Sequence, residues 1–291
     1  MIKPRIRGRL LEMKIVYFGT DVYLPTFIFL LKNHTVMKLY TYHQTEDYFS
    51  DREIVTLAER LGIPYSYDLI TMEEERRFIA EGCDLFLSAE YDRLIPVLPE
   101  EDGFRGVNLH CALLPEGRSY CPVECAMARG LKETGVTLHK LAPRFDAGSI
   151  ILQRRIPIPE TYDSIDLTIE CARAADGMIR EFLANPDRLW NEAVPQKGVF
   201  PAWFLPPWEE RIITHDLTVA EARNRFRIFN RMVRIQIGEK EYNPEFFETG
   251  SAVFGPRVIL AQDVVIYGLK DGHIRTRLLP ADSEGNGRGR K

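Results

Sequence analysis

Cysteine is scarce in this chain of 291 residues. The five present (Cys83, Cys111, Cys121, Cys125, Cys171) are odd in number, which excludes a disulfide framework and points to reduced thiols. Cys121 and Cys125 stand as C-x3-C, but no second pair follows at zinc spacing, so no metal is expected. Long hydrophobic runs are missing too. The longest, such as 27–31, fall far short of the roughly twenty residues of a membrane span. Basic charge is not in excess: 38 Lys and Arg against 42 Asp and Glu leave a net charge of −4, unlike a dedicated nucleic-acid binder. Two glycine signatures are also absent. The turn Phe18-Gly19-Thr20-Asp21-Val22-Tyr23 holds one glycine where a dinucleotide fingerprint needs several, and no Gly-x4-Gly-Lys-Ser/Thr phosphate loop occurs. A cytoplasmic protein without a membrane partner is expected.

What is present is ordinary globular usage, with 45% hydrophobic and 27% charged residues, and the length suits about two domains. A buried-strand run at 14–18 ends at Gly19-Thr20, and Pro25 opens a helix at 26–32. A second strand follows at 35–42. A helix at 51–61, with Ile54, Leu57 and Leu61 on one face, is stopped by Gly62-Ile63-Pro64. Further strands are expected at 85–89 and 106–110, around Leu138 and at 150–153, with a helical stretch at 122–129. A long amphipathic helix at 164–183 carries Leu167, Cys171 and Ala174 inward, and Asn185-Pro186 closes it. Alternating strands and helices predict an α/β domain with a mostly parallel sheet over 13–190. Composition then shifts to a Pro- and aromatic-rich linker, 191–210. A helix at 217–230 and short strands at 233–237, 258–260, 264–267 and 274–278 predict a small β-rich C-terminal domain over 211–282. Residues 1–12 read as an extension ahead of Met13, and the Gly-Arg tail 283–291 as disordered.

Chemistry concentrates in two segments. Gly106-Val107-Asn108-Leu109-His110 ends a strand, so Asn108 and His110 share a face. In an open parallel sheet the carboxyl ends of strands form the ligand crevice. An amide beside an imidazole there supplies an oxyanion donor and an acid/base, although a hydrogen-bonded core histidine beside a turn asparagine has the same pattern. The second segment runs from Thr134-Gly135-Val136-Thr137-Leu138-His139 to Arg144-Phe145-Asp146-Ala147-Gly148-Ser149-Ile150-Ile151. Its one turn carboxylate, Asp146, is suited to orient His110 and stabilise its charged form, or merely to form the turn.

Together these motifs, Asn-x-His, Leu-Leu-Pro, Thr-Gly-Val-Thr and Asp-x-Gly-x-Ile-Ile, resemble the formyltransferases that use 10-formyltetrahydrofolate. The resemblance runs from Met13 to about Leu183. It implies a Rossmann-like catalytic domain with Asn108, His110 and Asp146 as its catalytic trio and 10-formyltetrahydrofolate as co-substrate, without metal. It also places Ser88–Pro96 on the loop that holds the pterin, with Tyr91, Arg93 and Leu94 as contacts, and Leu141 and Arg144 on the opposite wall. Arg118 and Tyr120 fall where the acceptor would bind, and His139 aligns with a histidine that either touches the site or packs beneath it. After His110 the tRNA enzymes of this family resemble Ala-Ser-Leu-Leu-Pro-x-Trp-Arg-Gly, whereas here Ala112 replaces the serine, Gly117 the tryptophan and Ser119 the last glycine.

These departures imply a different acceptor. The tRNA enzymes carry a basic insertion after the second strand, but residues 43–51 are short and acidic here. The linker-helix stretch, with Phe200-Pro201, Arg211-Ile212-Ile213 and 217–221, is similar to that of the sugar-nucleotide N-formyltransferases. An amino-sugar nucleotide is therefore the expected partner, with a homodimer and no nucleic acid. Methionyl-tRNA, and a folate-binding protein that no longer transfers formyl, stand as alternatives. Arg223, Arg227, Arg231 and Arg234 would form one basic stripe if helix continues through them; a solvated face offset by Glu221, Glu239 and Glu241 is the other reading.

Overall fold

The computed structural model describes residues 12–43, 51–198 and 201–280. The extension, most of the acidic loop after the second strand, part of the linker and the tail lie outside these residues. Packing divides the chain into two units. One takes residues up to Ala126 together with Leu131–Ile158 and Thr168–Trp203; the other takes Met127–Gly130, Pro159–Leu167 and the chain from Phe204 onward. Among the described residues no helix is long and apolar enough to cross a membrane.

The first unit is Rossmann-like. Strands β1 (Lys14–Gly19), β2 (Thr35–Tyr40), β3 (Tyr65–Ser66), β4 (Leu85–Ala89), β5 (Gly106–His110), β6 (Glu133–Lys140) and β7 (Ile150–Pro157) form a seven-stranded sheet in the order β3-β2-β1-β4-β5-β6-β7. Pairing is parallel from β3 through β5 and antiparallel for β5–β6 and β6–β7. The order reverses direction at β1, the kind of switch point where α/β sheets open a crevice. Apolar runs such as Ile15–Phe18 and 85–87 are buried throughout, as strands covered on both faces must be.

Helices α1 (Leu24–Asn33), α2 (Arg52–Arg60), α3 (Met72–Ala80), α4 (Pro122–Ala128), α5 (Ser164–Ala184) and α6 (Pro186–Asn191) complete the unit's elements. Asp21, in the turn after β1, accepts from the backbone amides of Glu53 and Ile54 at 3.2 and 2.8 Å, so one carboxylate holds the α2 N-terminus to that turn. On α5, Cys171 is buried, but Ala174 is half-buried and Ala175 takes the inward place expected of it. The seam drifts because 3.6-residue geometry alternates steps of three and four. Helix α3 was not expected: five of its nine residues are charged. Its signal is the capping box, in which Thr71 accepts from the Glu74 amide while Glu74 accepts from the Thr71 amide. Inside α3, Glu75 is fully buried on the face of Phe78, and neither carboxylate oxygen has a hydrogen-bond partner.

The second unit holds two small sheets. One, ordered β15-β10-β9-β8, uses β8 (Ile212–Ile213), β9 (Arg234–Ile237), β10 (Lys240–Pro244) and β15 (Leu278–Pro280). The other, β11-β14-β13-β12, uses β11 (Glu248–Gly250), β12 (Val258–Ala261), β13 (Val264–Gly268) and β14 (His273–Thr276). The single strand expected at 274–278 is thus two, divided at Arg277 and assigned to different sheets. Helix α7 (Val219–Phe229) starts at a second capping box, Thr218 with Glu221. It ends before the expected basic stripe is complete. Arg234 is buried in β9, Arg227 donates to the Pro159 carbonyl at 3.0 Å, and Arg223 donates to Thr249. The Arg231 side chain lies outside the described residues. Glu221 serves the cap and Glu241 accepts from the Trp208 indole, and the stripe is not one helical face, because Arg234 lies in β9.

Candidate active site

Strand β5 positions the first two residues. Asn108 lies directly opposite His139 across the antiparallel β5–β6 ladder, a pairing that brings side chains of one face together. The Asn108 amide and His139 Nε2 are 3.1 Å apart. His139 Nδ1 is 2.7 Å from the Lys140 carbonyl and donates to it, which turns Nε2 toward the Asn108 amide. The ring is buried.

His110 ends the strand. Its Nε2 lies 2.8 Å from the Gly117 carbonyl and donates to it, so the lone pair of the neutral ring is on Nδ1. That atom is 3.5 Å from Asp146 Oδ1, and His139 Nε2 is 3.6 Å from the same oxygen. One carboxylate therefore faces two imidazoles, and a proton taken up at His110 Nδ1 enters an ion pair. Burial pushes the His110 pKa below its ordinary 6.5, opposed by Asp146 and the Gly117 carbonyl, with smaller lowering influences from the neighbouring His139 and Arg118. Burial alone would raise Asp146, but His110, His139 and Arg118 outweigh it and hold the carboxyl below the usual range. The resting arrangement is a neutral, buried base beside an ionised carboxylate.

Asp146 sits in the β6–β7 loop with φ 53°, a left-handed conformation that costs an L-residue about 1 kcal/mol or more. Two residues on, a Cβ on Gly148 would lie 1.8 Å from the Lys140 carbonyl oxygen. The close approach that folds this loop back onto β6 therefore requires glycine there, which accounts for the Asp-x-Gly spacing.

The other expected site residues divide. Tyr91 and Leu141 pack against one buried cluster that includes Phe18, Phe86 and Phe104, and the Tyr91 hydroxyl is buried without a hydrogen-bond partner. Arg93 pairs with Asp92 at 3.4 Å, and Leu94, Arg144 and Tyr120 are exposed. Arg118 does not stand free: it donates to Gln196 at 2.6 Å. Gln196, inside the stretch expected to be a linker, in turn donates to the Asp146 and Gly148 carbonyls. Sequence reasoning missed Gln196, and no pattern in its neighbourhood marks it.

Two further acids have raised pKa values, Glu90 after β4 and Glu124 on α4. Glu90 has φ 60° and follows Ala89, the last residue of β4 and the partner of Leu109. Burial pushes Glu90 up to about 7, helped by Glu124 and Asp92, and burial likewise lifts Glu124 of α4 to about 7. Both carboxyls thus exchange protons near neutrality. Cys111, next to His110 in sequence, makes a buried thiol–hydroxyl contact of 2.9 Å with Tyr23.

Residues 67–182 match the formyl transferase family. This stretch is a formyl transferase domain. It contains Asn108, His110, His139 and Asp146. A methionyl-tRNA formyltransferase of Listeria innocua is 34% identical over 157 residues, 50% of each chain. That of a Listeria monocytogenes strain is 33% identical over 195 residues, 63% of this chain and 61% of the relative. The chain spans about half the length of the first of these curated relatives. Among solved structures, the N-formyltransferase of Helicobacter canadensis, in complex with folinic acid and dTDP-3-aminofucose, has a TM-score of 0.59 at 18% identity. The match covers 92% of this chain and 100% of that one. HypX of Aquifex aeolicus gives 0.69 at 15% identity, over 91% of this chain and 45% of its own. At these identities the likeness is one of fold, shared with the N-formyltransferase and with the matched 45% of HypX.

Proposed function

We propose that the protein is an N-formyltransferase that moves the formyl group of 10-formyltetrahydrofolate to the amine of an amino-sugar nucleotide. The observation that carries this reading is the buried constellation in which Asp146 faces His110 and His139 while Asn108 stands beside them. The folate co-substrate suits the residues present. The Tyr91 hydroxyl is buried with no partner on the loop after β4, and an unmet polar group of this kind asks for one from a ligand. Leu141 and the half-buried Tyr91 ring offer apolar surface for a pterin.

When bound, 10-formyltetrahydrofolate supplies a formyl carbon for attack by the acceptor amine, yielding the formamide and tetrahydrofolate. Asn108 has a second amide hydrogen to donate to the charge growing on the formyl oxygen. His110 takes the proton shed by the attacking nitrogen and returns it to the departing folate nitrogen. Asp146 stabilises the imidazolium between these two events. Asp146→Asn keeps the shape and loses the charge, so turnover should drop by about tenfold or more while thermal unfolding stays near wild type. Loss of activity only through unfolding would make Asp146 a turn former.

The sugar acceptor is favoured by the likeness to a sugar N-formyltransferase along nearly the whole chain, and by the absence of a continuous basic face along α7. The test is incubation with 10-formyltetrahydrofolate and a panel of amino-sugar nucleotides beside charged initiator tRNA, each across a salt series. Turnover of an amino-sugar nucleotide with mild salt dependence is expected. Binding a tRNA would instead lose affinity steeply, with a log–log slope of roughly 0.9 per neutralised phosphate. Efficient formylation of methionyl-tRNA with that slope overturns the acceptor, and folate binding without transfer to any amine overturns the activity.

A further inference from the structure

We propose that Gln196 is a positioning residue for Asp146, clamping the β6–β7 loop so that the carboxylate stays against His110. The inference rests on the proposed formyl transfer for its catalytic consequence, but not for its structural one. Asp146 adopts a left-handed backbone, φ 53°, without the glycine that would make this cheap, so neighbouring contacts must impose it. The backbone holds it only loosely: the ladder contact from Lys140 N–H to the Ser149 carbonyl at 2.9 Å lies beyond Gly148, and the one turn bond around Asp146, Ala147 N–H to the Arg144 carbonyl, is long at 3.4 Å. Gln196 does reach it. Its side-chain amide donates to the Asp146 carbonyl at 2.8 Å and to the Gly148 carbonyl at 2.7 Å, spanning Ala147 with one planar group.

The clamp is itself anchored. Gln196 Oε1 accepts from Arg118 Nη2 at 2.6 Å, a charge-assisted bond of the shorter kind. Two residues earlier, Val194 exchanges both backbone hydrogen bonds with Ile150 at 2.8 Å, and the Trp203 amide donates to the Arg118 carbonyl at 2.8 Å. The amide hydrogens and oxygen of Gln196 are all engaged, and only a glutamine side chain supplies this donor–donor–acceptor set at this length. Asparagine is one methylene short, glutamate loses both donors, and leucine keeps the volume with neither donor nor acceptor. Arg118, expected to meet the acceptor, serves here as the post that holds Gln196.

Releasing the clamp lets Asp146 leave His110, and the imidazole then loses the carboxylate that raises its pKa. The experiment follows His110 ring resonances by NMR in the ligand-free full chain, wild type against Gln196→Leu and Gln196→Asn, with thermal unfolding recorded alongside. The expected result is a His110 titration at lower pH in Gln196→Leu, with a smaller shift of the same sign in Gln196→Asn and near-normal unfolding. If the chain transfers formyl, Gln196→Leu should also lower kcat about ten- to a hundredfold, as a misplacement of about 1 Å does, with the folate KM little changed. An unmoved His110 titration in both variants overturns the inference, whatever the activity. A shifted titration in a chain that transfers no formyl supports the clamp and overturns only the proposed reaction.

Discussion

His110→Ala should lower turnover by about a hundredfold or more while folate affinity changes little, because the ring is placed to move a proton and not to hold the pterin. The wild-type kcat/KM profile should carry an acidic limb below pH 6.5, since burial depresses the His110 pKa and the working form is the neutral base. The sign follows from the structure: protonation at Nδ1 before the amine arrives fills the lone pair that must accept its proton. His110→Ala should abolish that limb together with the rate. Near-normal turnover in His110→Ala, measured at saturating formyl donor, would remove His110 from the mechanism. A preserved rate with a missing limb would place the proton transfer on another group.

The α/β layout was legible because β1, β4 and β5 are short continuous apolar runs and α5 repeats its apolar positions at helical spacing. The Asn108–His110 pair was legible because period two puts them on one face at a strand end. The order in which those strands lie was not legible, because it depends on long-range pairings such as β1 with β4. Helix α3 was hidden by its charge, since Phe78 and Ile79 alone make too thin an apolar stripe for periodicity to register. The place of His139 was not legible, because it depends on the cross-strand register that sets it opposite Asn108. Gln196 could not have been found, because its partners lie some fifty and eighty residues away and a polar side chain in a Pro-rich stretch carries no period. The arginine stripe failed for a local reason: α7 ends at Phe229, and Asn230 takes φ 45°, which turns the chain before Arg234 can join the helical face.

Glu75→Leu should stabilise the first unit increasingly as pH rises. Glu75 is fully buried on the inward face of α3, neither of its oxygens has a partner, and burial pushes its carboxyl up to about 8 against a small opposing pull from Arg76. The fold therefore holds it protonated at neutrality, while the unfolded chain ionises it near the ordinary 4.5. A folded pKa above the unfolded one gives stability that is intact below 4.5 and is lost as pH climbs through about 8. At about 1.4 kcal/mol per pH unit of mismatch, wild type should lose roughly 3–4 kcal/mol between pH 5 and pH 9 from this group alone. Leucine cannot ionise and leaves no unpaired polar atom, so that loss disappears, whereas Gln would keep an unsatisfied amide worth about 1–3 kcal/mol. Urea unfolding followed by hydrogen exchange of the β1 amides, at pH 5, 7 and 9, reads the first unit by itself. The gap between Glu75→Leu and wild type should widen at each step. A constant gap would mean that the buried carboxyl finds a compensating charge or water in solution, and that α3 tolerates an ionised Glu75 against Phe78.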